Sequence, residues 1–320
     1  MGMTLTIVPV GAVAAPAPGP TATRDDPAVD SPTMAALQAQ AALSTAASAE
    51  LPPLTDATVH EVTLRVSEST EQVADGVTRA VWSYNGGSPG PTLHGRVGDR
   101  FVVTLVNDGT MSHSIDFHAG ELAPDEPMRS IAPGESLTYE FTAARAGIWM
   151  YHCGTMPMSH HIANGMFGAV VIEPDGLTPA RTYVLVQSEM YLGEEGGGTS
   201  DAKAAAATPD VVAFNGRAFQ YAAHPLAARA GERVRVWVLD AGPNSSLSFH
   251  VVGTQFDTVW TEGAYSVRQD ARAGAQVLPL LAAQGGFVEF VAPQPGHYPF
   301  VNHQMSLAEK GAQGVFEVTG

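Results

Sequence analysis

Four segments in the first half of this 320-residue chain return in its second half, in the same order and at similar spacing. GDRFVVTLVND (98–108) is matched by GERVRVWVLDA (231–241), and HSIDFHAG (113–120) by SLSFHVVG (246–253). ESLTYEFTAARAGIWMYHC (135–153) is matched by GGFVEFVAPQPGHYPFVNH (285–303), and NGMFGAVVIEP (164–174) by KGAQGVFEVTG (310–320). A repeat of this kind means one folding unit used twice. Within each copy, short runs such as VHEVTLRVSE and DRFVVTLVND alternate apolar and polar residues and stop at Gly, Asn or Asp. A period of two is the pattern of a half-buried strand. The chain is therefore expected to be all-β, with two tandem β-sandwiches over 55–177 and 178–320. The join falls near 175–179, and GEEGGGTSDAKAAAAT (193–208) is expected as a mobile loop.

The first 54 residues have a different texture, rich in Ala, Pro, Thr and Ser, and are read as a tail or linker in which Ser31-Pro32 caps one short helix. The uncharged stretch 4–20 lacks a basic leader and contains Pro, so it is read as the trailing edge of an export signal or a membrane anchor. That places the protein outside the cytoplasmic membrane, periplasmic or held at a cell surface by a membrane tether. Lys+Arg 16 against Asp+Glu 32 gives a net charge of -16, which repels phosphate backbones and excludes nucleic acid as a partner. A partner with a basic face suits it better. The one cysteine, Cys153, rules out an intrachain disulfide, so the fold rests on its core, on metal or on assembly.

That cysteine opens the segment richest in chemistry, running from Tyr151 through His152, Cys153, Met156, Met158, His160 and His161 to Met166. A thiolate, an imidazole eight positions on and a thioether five beyond it are what a blue copper site uses: soft sulfur, nitrogen and a weak axial Met. His113, in the loop after FVVTLVNDG, is the obvious second imidazole. One set is thus His113, Cys153, His161 and Met166, with His161 favoured over His160 by the Cys-to-His and His-to-Met gaps. For any one of these residues, simple core packing is the better account; four at matched spacing change that. His152 and Cys153 point to opposite sides of an extended strand, so His152 faces somewhere else. His118 stands in the same relation to His113, and the two imidazoles can converge on a second metal. A catalytic centre wants a third ligand and an open position. His303, in VNHQ of the second repeat, is the best candidate, supplied within one chain only if the two sandwiches fold over each other and otherwise by a neighbouring subunit in a ring.

The runs IDFHAG, YHCGTMPMSHHIANGMFGAVVIEP, SFHVVGTQFDTVW and YPFVNHQ resemble those of the copper-containing nitrite reductases, two-domain cupredoxin enzymes that work as trimers. The resemblance covers about residues 55 to 320. It implies two tandem cupredoxin-like Greek-key sandwiches and one type 1 and one type 2 copper per subunit. The type 1 ligands fall on His113, Cys153, His161 and Met166; the type 2 ligands fall on His118, His152 and, from the adjacent subunit, His303. It further implies that Asp116 and His250 are the catalytic acid–base pair, that Val252 lines the pocket, and that nitrite is the substrate. The chemistry is compatible: making nitric oxide from nitrite takes one electron and two protons, hence an electron relay, an open metal position and proton carriers. The electron donor is expected to be a cytochrome c or a small cupredoxin. Met156 and Met158 either form its apolar landing patch or belong to the core.

The chain departs from many relatives in a Cys153-to-His161 loop one residue shorter, as in variants of Gram-positive and thermophilic bacteria. It also departs in the SFHVVG segment around His250, where many carry a second histidine, and in the Ala-rich tail. Two alternatives remain open. A two-domain laccase would need His-X-His pairs, one spanning the cysteine, yet Gly154 follows Cys153 and no such pair occurs. A non-enzymatic electron carrier would leave His118, His152, His303, Asp116 and His250 without a task. His60, His94, His224 and His297 are read as structural.

Overall fold

The computed structural model describes residues 29–269 and 272–320. The apolar stretch 4–20 lies outside them; among the described residues no helix is long and apolar enough to cross a membrane. In the first half, one sheet holds Val77–Tyr84, Val59–Ala74, Arg100–Asn107 and Ser136–Thr142 in that order. The other holds Leu93–Arg96, Phe167–Glu173, Gly147–His152 and Asp116–Phe117. The second half has a sheet ordered Val211–Phe214, Arg181–Met190, Arg233–Asp240, Gly285–Val291, Thr258–Thr261 and Ala264–Arg268. Its companion is ordered Leu226–Arg229, Gln313–Thr319, Gly296–Asn302, Leu247–Val251 and Leu278–Leu280. The repeat in the sequence is thus a repeat of pairings with their sense preserved. Val59–Ala74 runs parallel to Arg100–Asn107, as Arg181–Met190 does to Arg233–Asp240. Gly147–His152 runs antiparallel to Phe167–Glu173, as Gly296–Asn302 does to Gln313–Thr319.

Backbone hydrogen bonds fix the register between the halves. The N–H of Ser114 donates to Cys153 Sγ at 3.4 Å, and that of Ser248 to Asn302 Oδ1 at 3.1 Å. The N–H of Cys153 donates to the carbonyl of Met166 at 3.1 Å, and that of Asn302 to the carbonyl of Ala312 at 3.0 Å. Asn302 is therefore the counterpart of Cys153. The ungapped match of sequence segments, which sets His303 against Cys153, is off by one residue. Strand pairing decides register, and one residue of slip would exchange the two faces of a strand.

Each half has its own core, around Val103, Phe117, Tyr139 and Tyr151 in the first and Val236, Phe249, Phe290 and Phe300 in the second. A third cluster joins them: Ile148, Met150, Phe167, Ala169 and Val171 pack on Val184, Val186, Trp237, Leu239 and Phe287. The approach is close enough that a Cβ on Gly285 would lie 2.2 Å from the carbonyl oxygen of Ile148. Residues on Gly147–His152 therefore divide by parity. Tyr151 and Cys153 enter the first core, while Ile148 and Met150 face the other way, on the side that His152 shares.

Two segments are more ordered than their composition suggests. The helix Met34–Leu43 is present, capped by the Thr33 side chain rather than by Ser31-Pro32, which the sequence favoured. Leu37 and Ala41 are buried against Met190, Val211 and Phe219, and the N–H of Val184 donates to the carbonyl of Ala49 at 2.7 Å. Residues 29–54 thus lie against both halves, with Ala74 of the first half in the same cluster and the Pro52 carbonyl bonded to His94. The 193–208 segment, expected as a mobile loop, is tied down instead. Lys203 Nζ donates to the Asp210 carboxylate and the Leu192 carbonyl, each at 3.0 Å, and the N–H of Thr199 donates to Asn164 Oδ1 at 2.9 Å.

Candidate metal centres

The strand Gly147–His152 delivers Cys153 to the end of the first core, where it is fully buried. Asn107, closing the strand Arg100–Asn107, shapes the loop that carries His113. Its Oδ1 accepts from the N–H of Gly109 at 3.0 Å, and its Nδ2 donates to the carbonyls of Met111 and Ile131 at 2.8 and 3.0 Å. His161 comes from a short helix, Met158–Ala163, where a loop was expected; no Gly or Pro interrupts MSHHIA, and Pro157 starts it. His161 Nδ1 stands 3.3 Å and His113 Nδ1 3.9 Å from Cys153 Sγ. Met166 is fully buried in the same cluster, joined to Cys153 through its carbonyl. His160, by contrast, turns its Nδ1 to Asp201 Oδ1 at 2.7 Å.

Burial, then the neighbouring His113 and His160, push His161 down to about 4. Burial lowers His113 as well, with Glu68 opposing. Both imidazoles are therefore neutral near pH 7, with lone pairs available to a metal. A soft sulfur and two imidazole nitrogens, buried and mutually within 4.8 Å, fit copper. Three residues that spacing did not single out complete the wall. The Ser114 N–H donates to the Cys153 sulfur, and the Trp82 ring lies 5.7 Å from that of His113 and 4.9 Å from that of His161. Glu68 binds the N–H and hydroxyl of Thr110 and comes within 3.9 Å of His113 Nε2.

A second group lies on the other side of the same peptide link. His118 Nε2 and His152 Nε2 face each other at 3.0 Å, and Asp116 Oδ2 is 3.7 Å from the first and 3.8 Å from the second. Asp116 is there because it pairs with His152 across two antiparallel strands. His152 Nδ1 lies 3.0 Å from the carbonyl of Cys153, which places its proton on Nδ1 and its lone pair on Nε2. His118 is lowered by burial and then by His152, with Asp116 opposing, so it too offers a neutral nitrogen. Two facing imidazoles beside a carboxylate, mutually within 4.8 Å, fit a metal with a position left for a small anion.

His250 and His303 do not join that group within one chain. They form a pair of their own, ring centroids 5.4 Å apart, with His250 Nδ1 2.6 Å from the carbonyl of Gln276. Val252, 44% exposed, stands beside them on the surface. The register relates the two faces. Asp116 pairs with His152, and His250 pairs with Val301, one residue before Asn302. The N–H of His118 donates to Met150 and that of Val252 to Pro299, at 3.0 and 2.7 Å. Asp116 and His250 thus hold equivalent positions in the two halves, as do His118 and Val252. Three of the four remaining histidines have structural partners: His60 bonds Asp99 at 2.8 Å, His94 the Pro52 carbonyl at 2.6 Å, and His224 the Ser44 carbonyl at 2.8 Å, while His297 lies exposed on the strand Gly296–Asn302.

Residues 65–176 match the family model described as multicopper oxidase. The copper-containing nitrite reductase of Neisseria gonorrhoeae is 35% identical over 286 residues, which are 85% of this chain and 72% of that protein. Among solved structures, the copper nitrite reductase from Nitrosomonas europaea matches with TM-score 0.74 and 34% identity, over 82% of this chain and 94% of that one. The Cu-containing nitrite reductase from Thermus scotoductus SA-01 matches with TM-score 0.74 and 30% identity, over 82% of this chain and 62% of that one.

Proposed function

Since the chain belongs to the copper-containing nitrite reductases, we infer that it reduces nitrite to nitric oxide and water, using one electron and two protons. The observation that carries the site assignment is the one peptide link between Cys153 and His152, whose side chains join two separate ligand groups. His113, Cys153, His161 and Met166 would hold one copper, and His118, His152 and His303 of the partner subunit a second; bound there, the first would supply one-electron exchange with a donor and the second a Lewis-acid position. The backbone from Cys153 to His152 gives the electron a covalent route between the two ligand sets. Asp116 Oδ2, close to both Nε2 atoms, is placed to hydrogen-bond a nitrite oxygen and pass it a proton. His250 has its Nδ1 committed to the Gln276 carbonyl, so Nε2 is left to relay the other proton. Val252 forms the apolar wall.

The same reading makes the working form a homotrimer: His303 does not join the His118–His152 pair within one chain, so a neighbouring subunit would supply it. The donor is a basic cytochrome c or small cupredoxin, drawn by the net charge of -16 and received near the exposed Met156 and Met158. The enzyme works outside the cytoplasmic membrane, a placement supported by the apolar stretch 4–20. A carrier would show only a blue copper resonance, and a laccase would show coupled coppers. The test is metal content with a nitrite-dependent nitric oxide assay. Asp116→Asn should keep its copper and lose roughly 10²–10⁴-fold in rate, and His118→Ala should be inactive. A His118→Ala protein that makes nitric oxide at the parent rate contradicts the assignment.

A further inference from the structure

We propose that Asn302, the counterpart of Cys153, is a positioning residue that holds His250 and His303 in place for the second copper centre; this rests on the two-copper reading above. The first half uses its core-end pocket to bind metal, and the second half fills the same place with a closed hydrogen-bond network. His113, Cys153, His161 and Met166 correspond in register to Leu247, Asn302, Leu307 and Ala312, none of which presents a soft or imidazole ligand. Asn302 is fully buried, and all four of its amide valences are used. Oδ1 accepts from the N–H of Ser248 at 3.1 Å and from that of Gln304 at 3.0 Å. Nδ2 donates to Gln187 Oε1 at 2.8 Å and to the Ser246 carbonyl at 3.2 Å.

The bonded partners explain the role. Ser248 lies two residues before His250, and Gln304 directly follows His303. One carbonyl oxygen therefore ties together the two segments that carry these histidines. The N–H of His303 completes the tie by donating to the Ser248 carbonyl at 2.8 Å. Behind Asn302, Gln187 is itself buried and donates to Asp240 Oδ1 at 3.2 Å, which anchors the clamp in the body of the second half. A fully satisfied buried network of this kind fixes one geometry, whereas a half-satisfied one admits several. Residues behind metal ligands tune affinity in this way without touching the ion.

The test compares copper-loaded Asn302→Leu and Asn302→Asp with the parent. It reads type 2 copper per chain under chelator competition and the type 2 electron paramagnetic resonance signal, with the blue type 1 band as an internal control. Asn302→Leu removes the acceptor for two N–H groups. It should bind type 2 copper roughly 10- to 100-fold more weakly and broaden or shift that signal, while the blue band stays unchanged. Asn302→Asp keeps both accepting bonds but turns a carboxylate oxygen toward the Gln187 Oε1 and Ser246 carbonyl acceptors, so its affinity should fall between those of the parent and Asn302→Leu. Should Asn302→Leu not fold, Asn302→Ser, whose hydroxyl is too short to span both segments, is expected to weaken type 2 affinity by at least about tenfold. Parent-like type 2 affinity and signal in a folded Leu or Ser variant overturns the proposal. A parent protein without any type 2 signal would instead sink the two-copper reading beneath it.

Discussion

Asn107 and Asp240 occupy equivalent turns in the two halves, and the chemical difference between them has a measurable consequence. Asn107 donates to two carbonyls and accepts from Gly109. Asp240 accepts from Gly242 at 3.1 Å and from Gln187 at 3.2 Å on Oδ1, while its buried Oδ2 has no partner. Burial, opposed by those two donors, pushes its carboxyl up to about 8. The folded state therefore holds a proton that the unfolded state releases above about 4. The stabilisation from that proton is fully present below pH 4 and is lost as pH rises toward 8. Asp240→Asn should match the parent in stability near pH 4 and exceed it by up to a few kcal/mol near pH 8, as thermal melts at the two pH values would reveal. Equal pH slopes for the two proteins would contradict this. Residues of this kind were not legible in the sequence. Cys153, His161 and Met166 announce themselves because they lie close together in the chain. Asn302, Glu68 and Asp240 act through hydrogen bonds to segments whose proximity only the folded register reveals.

Strands were legible as elements because alternation survives in each run; their pairing was not, since two of the four segments matched by eye, 113–120 and 135–153, are off by one residue without losing apparent likeness. The short helix Met158–Ala163 shows how an element can decide a ligand. Successive helical residues point about 100° apart, so His161 turns inward to Cys153 while His160 turns to Asp201. His160→Ala should keep the blue absorption band at its parent position and loosen the 199–201 segment, visible as faster amide exchange there. Loss of the band would make His160 the ligand instead. The helix Met34–Leu43 was legible as a helix, yet its docking was not, because an Ala-rich sequence carries no apolar stripe to announce which side is buried.

At the scale of the molecule, the two halves offer corresponding faces with divided equipment: Asp116, His118 and His152 on one, His250, Val252 and His303 on the other. In the proposed ring of three chains unlike faces would meet, and each active site would borrow from two subunits. Co-expression of His118→Ala with His303→Ala chains should then recover activity that neither shows alone, approaching about one quarter of parent sites for random mixing in equal amounts. No recovery in verified mixed trimers would mean that the site is not shared. The resemblance implies this arrangement, whereas the equivalence of Asp116 and His250 emerged only from the strand register. The account depends most on His152 and Cys153 holding different ions. The direct measurement is the electron paramagnetic resonance spectrum of copper-loaded His152→Ala. We expect the blue type 1 signal intact and the type 2 signal gone; joint loss of both in folded protein, or survival of both, would contradict it.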